Sequence, residues 1–133
     1  MKFMLDTNIC IFLMKNKTGV VEQYKSKKLF GVAISAITLA ELYYGVCKSA
    51  FPEKNGANLT AFLMGFEVLE FDGAAAMEFG RIRAELQRMG TVISPMDTLI
   101  AAHAKAAGLV IVTNNVRKFA RVEGLTIEDW ANQ

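Results

Sequence analysis

The sequence predicts an α/β fold with a mainly parallel central sheet and helices on both faces. Three observations predict it. Short apolar runs alternate along the chain with longer stretches of helical periodicity. The runs are partly β-branched and mostly lack the polar alternation of a one-sided sheet, as strands covered on both faces do. Strands separated by helices, finally, imply right-handed crossovers, which lay the strands parallel.

The first strand is read over residues 2–5 and runs straight into Asp6. Helical patterns over residues 7–15 and 19–28 follow. A second apolar run, residues 31–34, leads into a helix over 36–48 that repeats apolar residues at Ile37, Ala40, Tyr44 and Cys47. Pro52 opens a helix reaching about residue 66, because the N–H that proline lacks has no helical partner in a first turn. A strand over 67–71 precedes the longest helix, 72–89, which Gly90 stops. Pro95 and Gly108 bracket a helix over 95–107. Strands over 109–112 and 125–127 enclose a helical turn at 116–119. In such a sheet, sites form at the carboxyl ends of the strands.

The 133 residues fit one domain, expected over 1–133, and 53% apolar content supplies a core for it. Fifteen Lys plus Arg against thirteen Asp plus Glu leave a net charge of +2, too small to identify a nucleic-acid binder. Local basic patches carry that question: Lys15, Lys17, Lys25, Lys27 and Lys28, then Arg81, Arg83 and Arg88, then Arg117, Lys118 and Arg121. The plain reading of each is solvated surface. Cys10 and Cys47 are too few for a disulfide framework or a zinc site, and as free buried thiols they suit a reducing cytoplasm. The N-terminus lacks the order of a signal peptide, and no apolar stretch approaches the roughly 20 residues of a membrane span.

Three acids fall at helix entries beside the carboxyl edge of the sheet. Asp6 directly follows the first strand, where Asp also serves as an N-cap. Asn8, two residues on, suits either the turn or a metal-bound water. Glu41 lies in Thr38-Leu39-Ala40-Glu41, a capping-box spacing inside a helix that begins earlier, near Ser35. Asp97 stands in the first turn after Ser94, favoured there by the helix dipole. Thr113-Asn114-Asn115 ends the strand adjoining the first, which brings Asn115 toward Asp6, although Asn is also an ordinary turn residue. Carboxylates gathered in one pocket repel unless a cation balances them, and an all-oxygen set suits Mg²⁺ or Mn²⁺ rather than zinc. Such an ion can activate water and stabilise a leaving oxygen, which fits phosphodiester hydrolysis.

His103, the only histidine, lies six residues beyond Asp97, about 240° around a helix at 100° per residue, and so points to another face. It is read as structural. Tyr43, Tyr44 and the Met and Phe residues are read as core or interface.

Leu5-Asp6-Thr7-Asn8, Ile37-Thr38-Leu39-Ala40-Glu41-Leu42, the run from Pro95 through Asp97 to Ala104, and Thr113-Asn114-Asn115 occur here in that order. In this order and spacing, together with a tail from Gly124 to Trp130, the sequence resembles the VapC branch of PIN-domain proteins over essentially its whole length. The resemblance implies a single PIN-like domain and a Mg²⁺- or Mn²⁺-dependent endoribonuclease, the toxin of a type II toxin-antitoxin pair. It puts Asp6, Glu41 and Asp97 in the positions of the family's metal-site acids. Asn115 matches the fourth site position, where Asp is also common, and a neutral residue there implies a weaker second metal. Met96 and Lys118 stand where Tyr and Glu are expected in close relatives. Also implied are a homodimer, a VapB antitoxin whose C-terminal segment covers an apolar groove near the acids, and structured RNA as substrate, with tRNA cut in the anticodon loop.

Two rivals carry different expectations. A phosphatase of the haloacid dehalogenase type usually has a second Asp two positions after the first, where this chain has Asn8. A catalytically inactive PIN-like module would use the acids only as caps and act by binding nucleic acid or antitoxin. Retention of Asp6, Glu41 and Asp97 favours hydrolysis by metal-activated water. Asp6 and Asp97 are then direct ligands, Glu41 a ligand or the group that orients water, and Lys15 and Arg83 candidates to steer phosphate.

Overall fold

The structure, a computed structural model, describes residues 1–132, so residue 133 of the expected domain lies outside the described residues. Five strands form one sheet: β1 (Phe3–Leu5), β2 (Val32–Ser35), β3 (Glu67–Leu69), β4 (Val110–Val112) and β5 (Ile127–Glu128). Their order is β3-β2-β1-β4-β5, and every pairing is parallel, as the alternation of strands and helices requires. Between them run α1 (Thr7–Met14), α2 (Thr18–Lys27), α3 (Ala36–Lys48), α4 (Pro52–Leu63), α5 (Gly73–Arg88), α6 (Pro95–Ala107) and the short α7 (Val116–Phe119).

The central strand β1 is buried on both faces because its side chains alternate. Phe3 and Leu5 join Ile9, Leu13, Val20, Leu59 and Trp130 on one side. Met4 joins Ile82, Leu86, Ile100, Ile111 and Phe119 on the other. Each fully buried side chain of this size stabilises the fold by roughly 1.5–3 kcal/mol relative to exposure. α1 to α4 thus cover one face and α5 to α7 the other, the expected three layers.

The differences from the expected bounds have local causes. α4 stops at Leu63 because Met64, Gly65 and Phe66 donate to carbonyls three residues back, tightening the last turn. β3 ends at Leu69 because its partner Ser35 is the last residue of β2. β5 covers 127–128, the residues that pair with Ile111 and Val112. The end of α6 is as expected, with Gly108 at φ 70° in the left-handed cap that disfavours side chains. One expectation fails: Cys10 is buried, but Cys47 is exposed on α3, because the apolar stripe of that helix turns away from position 47.

The first strand leads toward β2 and β3 on one side, while β4 and β5 lie on the other. The switch point is therefore between β1 and β4, and sites in such sheets form at the carboxyl ends of the strands there.

Candidate active site

Asp6 stands at that switch point, directly after β1. Its backbone N–H donates to Val112 O at 2.9 Å, which ties the end of β1 to the end of β4. Its side chain accepts from Ile9 N at 2.9 Å and so caps α1. Cap and candidate ligand are the same residue, since hydrogen bonds from Ile9 N and Thr113 still leave part of a carboxylate's acceptor capacity free. Asp6 is only 3% exposed, and its pKa is pushed up from 3.8 to about 6. Burial is the main cause; hydrogen bonds from Thr113 and Ile9 oppose it, and the charges of Asp97 and Glu41 add to it. Among the described residues no lysine or arginine contributes to this balance.

Glu41 reaches the site from the second turn of α3. The helix is capped by Ser35, whose hydroxyl accepts from Ile37 N at 3.0 Å, so Glu41 has no capping role. Its Oε1 instead accepts from the Thr7 hydroxyl at 2.6 Å, and Thr7 also lies 3.4 Å from the Thr38 hydroxyl. Asp97 comes from the first turn of α6. There Ser94 does the capping, accepting from Asp97 N at 3.2 Å, while the Asp97 carboxylate accepts no hydrogen bond among the described residues.

The turn after β4 supplies the remaining polar groups. Thr113, fully buried, bonds the Asp6 carboxyl and accepts from Asn115 N at 2.9 Å. The Asn114 amide oxygen is buried without a partner. Asn115 is half-buried and its side chain makes no hydrogen bond among the described residues; its backbone starts α7. Thr7 and Thr113 are the residues that sequence reasoning passed over. Thr113 lies in a motif that directed attention to Asn115, and nothing local separates Thr7 from an ordinary first-turn residue.

His103 is kept away from the acids. It is buried, with Nδ1 2.7 Å from Ser35 Oγ and its ring against the edge of Phe71. Burial lowers its pKa, outweighing the Asp72 charge and the Glu70 backbone, which raise it. Asn8 is exposed on α1, Lys15 lines a groove beside Glu41, and Arg83 is half-buried on α5.

The donor set suits a hard divalent cation. Asp6 is buried, uncompensated and within reach of two further carboxylates, a cost that a bound cation would remove. Among the described residues no three Asp, Glu, His or Cys side chains close into a full ligand cluster. Charge acts over a longer range than a coordination bond, so Asp97 and Glu41 raise the Asp6 pKa without forming a closed shell with it. A hard divalent cation that takes one or two carboxylates and keeps several waters would need no closed shell.

Comparison with known proteins identifies the family to which this fold belongs. The PIN domain family matches residues 3–125. The chain is 50% identical over 131 residues to the tRNA(fMet)-specific endonuclease VapC of Shigella flexneri, covering 98% of this chain and 99% of that one. It is 42% identical over 130 residues to ribonuclease VapC2 of Haemophilus influenzae, covering 98% of each. The fold superposes with a TM-score of 0.92, at 50% identity and 98% coverage of both chains, on a chain of the DNA-bound VapBC crystal structure from Salmonella typhimurium. The chain belongs to the PIN-domain family, in its VapC branch.

Proposed function

We propose that this protein is a Mg²⁺- or Mn²⁺-dependent endoribonuclease toxin that hydrolyses phosphodiester bonds in structured RNA, foremost tRNA, and is neutralised by a cognate VapB-type antitoxin. The observation that carries the reading is the Asp6 carboxyl, buried at the sheet's switch point and raised to about 6, with the charges of Asp97 and Glu41 adding to the shift and no lysine or arginine among the described residues offsetting it. The names of the relatives, a tRNA(fMet)-specific endonuclease and a ribonuclease, support the substrate class.

In this reading Asp6 and Asp97 hold the ion, and Glu41, fixed by Thr7, orients the attacking water or binds directly. When bound, the ion supplies a water of lowered pKa and offsets charge on the phosphate oxygens. Thr113 keeps the Asp6 carboxyl in place, and Asn115 is the fourth, neutral corner. We assign phosphate steering to Lys15, exposed beside Glu41, and to Arg83.

The antitoxin segment is assigned to a groove of about 800 Å³ between α1, α3 and α4. Ile11, Met14, Leu42, Val46 and Phe62 give it an apolar lining, and Glu41 marks its end at the acids. A segment lying there would cover the site. The related VapBC complexes support such a partner. Exposed Met89, Val92 and Met96 offer apolar surface to a second copy, consistent with a homodimer. Free Cys10 and Cys47 fit a reducing cytoplasm, and among the described residues no helix is long and apolar enough to cross a membrane.

The test is cleavage of total tRNA by purified, antitoxin-free protein with Mg²⁺ or Mn²⁺ and with chelator, followed by mapping of product ends. Cleavage dependent on the ion, leaving 5′-phosphate and 3′-hydroxyl ends, is expected because water rather than the ribose 2′-hydroxyl attacks phosphorus. Cyclic phosphate ends, or cleavage undiminished by chelator, would overturn it. No cleavage at all would leave a binding module.

A further inference from the structure

We propose that His103 is a positioning residue for the acid site, acting through the Ser35 hydroxyl to hold the helix of Glu41 against the helix of Asp97. The inference rests on the metal-site reading above and deepens it.

The contact crosses 68 residues of sequence and is buried at both ends. Ser35 is the last residue of β2 and the N-cap of α3, and its Oγ already accepts from Ile37 N. Among the described residues the Ser35 proton has no other acceptor, so His103 Nδ1 is assigned as its acceptor and the ring proton to Nε2. That assignment needs a neutral ring. Burial keeps it neutral, although Asp72 and the Glu70 carbonyl favour a proton and Glu67, Glu70 and Asp72 rim the adjoining cavity of about 550 Å³. The T-shaped contact with Phe71, centroids 5.4 Å apart, fixes the ring plane.

The geometry gives this bond a reach beyond its own surroundings. Ser35 sets where α3 begins, and Glu41 stands six residues further along that rigid helix. His103 stands six residues beyond Asp97 on α6. One hydrogen bond thus links the two helices that bring Glu41 and Asp97 to Asp6 from opposite layers. Among the described residues neither Ser35 nor His103 hydrogen-bonds Asp6, Glu41 or Asp97, so the link sets the relative placement of the acids and not their chemistry.

The test is the dissociation constant for Mn²⁺ alone, measured by calorimetry on the full, antitoxin-free and RNA-free chain. In His103→Asn the amide oxygen falls near the Nδ1 position and still accepts from Ser35, whereas in His103→Gln the amide reaches the Nε2 position and loses that bond. His103→Gln and Ser35→Ala should each weaken Mn²⁺ binding by about 3- to 10-fold, below the range for direct partners of metal ligands. The double variant should be no weaker than either single one, because both remove the same bond. His103→Asn should bind within about twofold of wild type, and cleavage at saturating Mn²⁺ should show a lower kcat with little change in KM for RNA in the Gln variant.

Unchanged Mn²⁺ binding in folded Gln and Ala variants would overturn the proposal, as would additive losses or an Asn variant as weak as Gln. Should Ser35→Ala fail to fold, the Asn and Gln pair decides alone. Wild-type protein that binds no Mn²⁺ would overturn the metal site and this inference together, whereas wild-type binding with unmoved variants would overturn this inference only.

Discussion

The Thr7 hydroxyl donates to Glu41 Oε1 across 2.6 Å, joining the first residue of α1 to the middle of α3, 34 positions away. Thr7 follows Asp6 directly, so the cap that starts α1 also delivers the donor that fixes Glu41. Two acids of the candidate site are thereby locked to one turn of backbone.

Removing that donor tests whether Glu41 needs fixing. Thr7→Val keeps the shape and loses the hydroxyl, and cleavage should drop by about 10- to 100-fold, the usual cost of losing a group that orients a metal-site carboxylate. Stability should change by only about 1 kcal/mol. Thr7→Ser should retain activity. Comparison of kcat and melting temperature checks this, and a Val variant within twofold of wild type would leave Thr7 a helix residue only.

The acids themselves should separate capping from chemistry. Asn caps a helix about as well as Asp, so Asp6→Asn should fold normally yet lose at least about 100-fold in cleavage, through loss of ligand charge. Asp97→Asn should behave alike, because its carboxylate takes no part in the Ser94 cap. Circular dichroism with a tRNA cleavage assay checks both, and activity persisting within a few fold would reduce either acid to a cap.

The raised pKa of Asp6 predicts a pH-dependent stability in metal-free protein. The folded state holds a proton that the unfolded chain has released between pH 3.8 and about 6, so stability falls as pH rises through that window. At about 1.4 kcal/mol per pKa unit the loss approaches about 3 kcal/mol. Melting temperature measured across this range should fall in wild type more than in Asp6→Asn. Millimolar Mn²⁺ above pH 6 should restore it in wild type alone, by binding only the native state. An equal rise in Asp6→Asn would argue against a shared metal site.

Asn115→Asp adds charge at the fourth corner. Ligand charge raises affinity for a hard cation, so the Mn²⁺ concentration giving half-maximal cleavage should fall, most clearly at alkaline pH where added carboxylate repulsion retains no extra proton. A metal titration at several pH values measures it. An unchanged half-maximal concentration at every pH would leave Asn115 a turn residue, the role its unbonded side chain already permits.

Much of this was legible in the chain itself. The strand and helix order, the parallel sheet and the two-sided core follow from apolar runs and periodicity, signals that each residue shares with neighbours a few positions away. Pro95, Gly108 and Ser94 mark their helix ends by local backbone chemistry, and the structure keeps them there. Asp6 at a strand end and Asp97 in a first turn were readable for the same reason.

Tertiary packing decided the rest. Glu41 resembles half of a capping box in sequence, yet its partner is Thr7, which only the docking of α1 on α3 brings within reach. Cys47 fits an apolar spacing, but that side of α3 meets solvent. The Asp6 pKa depends on burial and on charges carried by two other helices, and the bond from Ser35 to His103 spans 68 residues. Sequence determined which elements form and where their ends fall, because those forces act within a turn or a strand. Which side chains meet, and what charge each can hold, was settled only when the layers closed, because burial and electrostatics act through space.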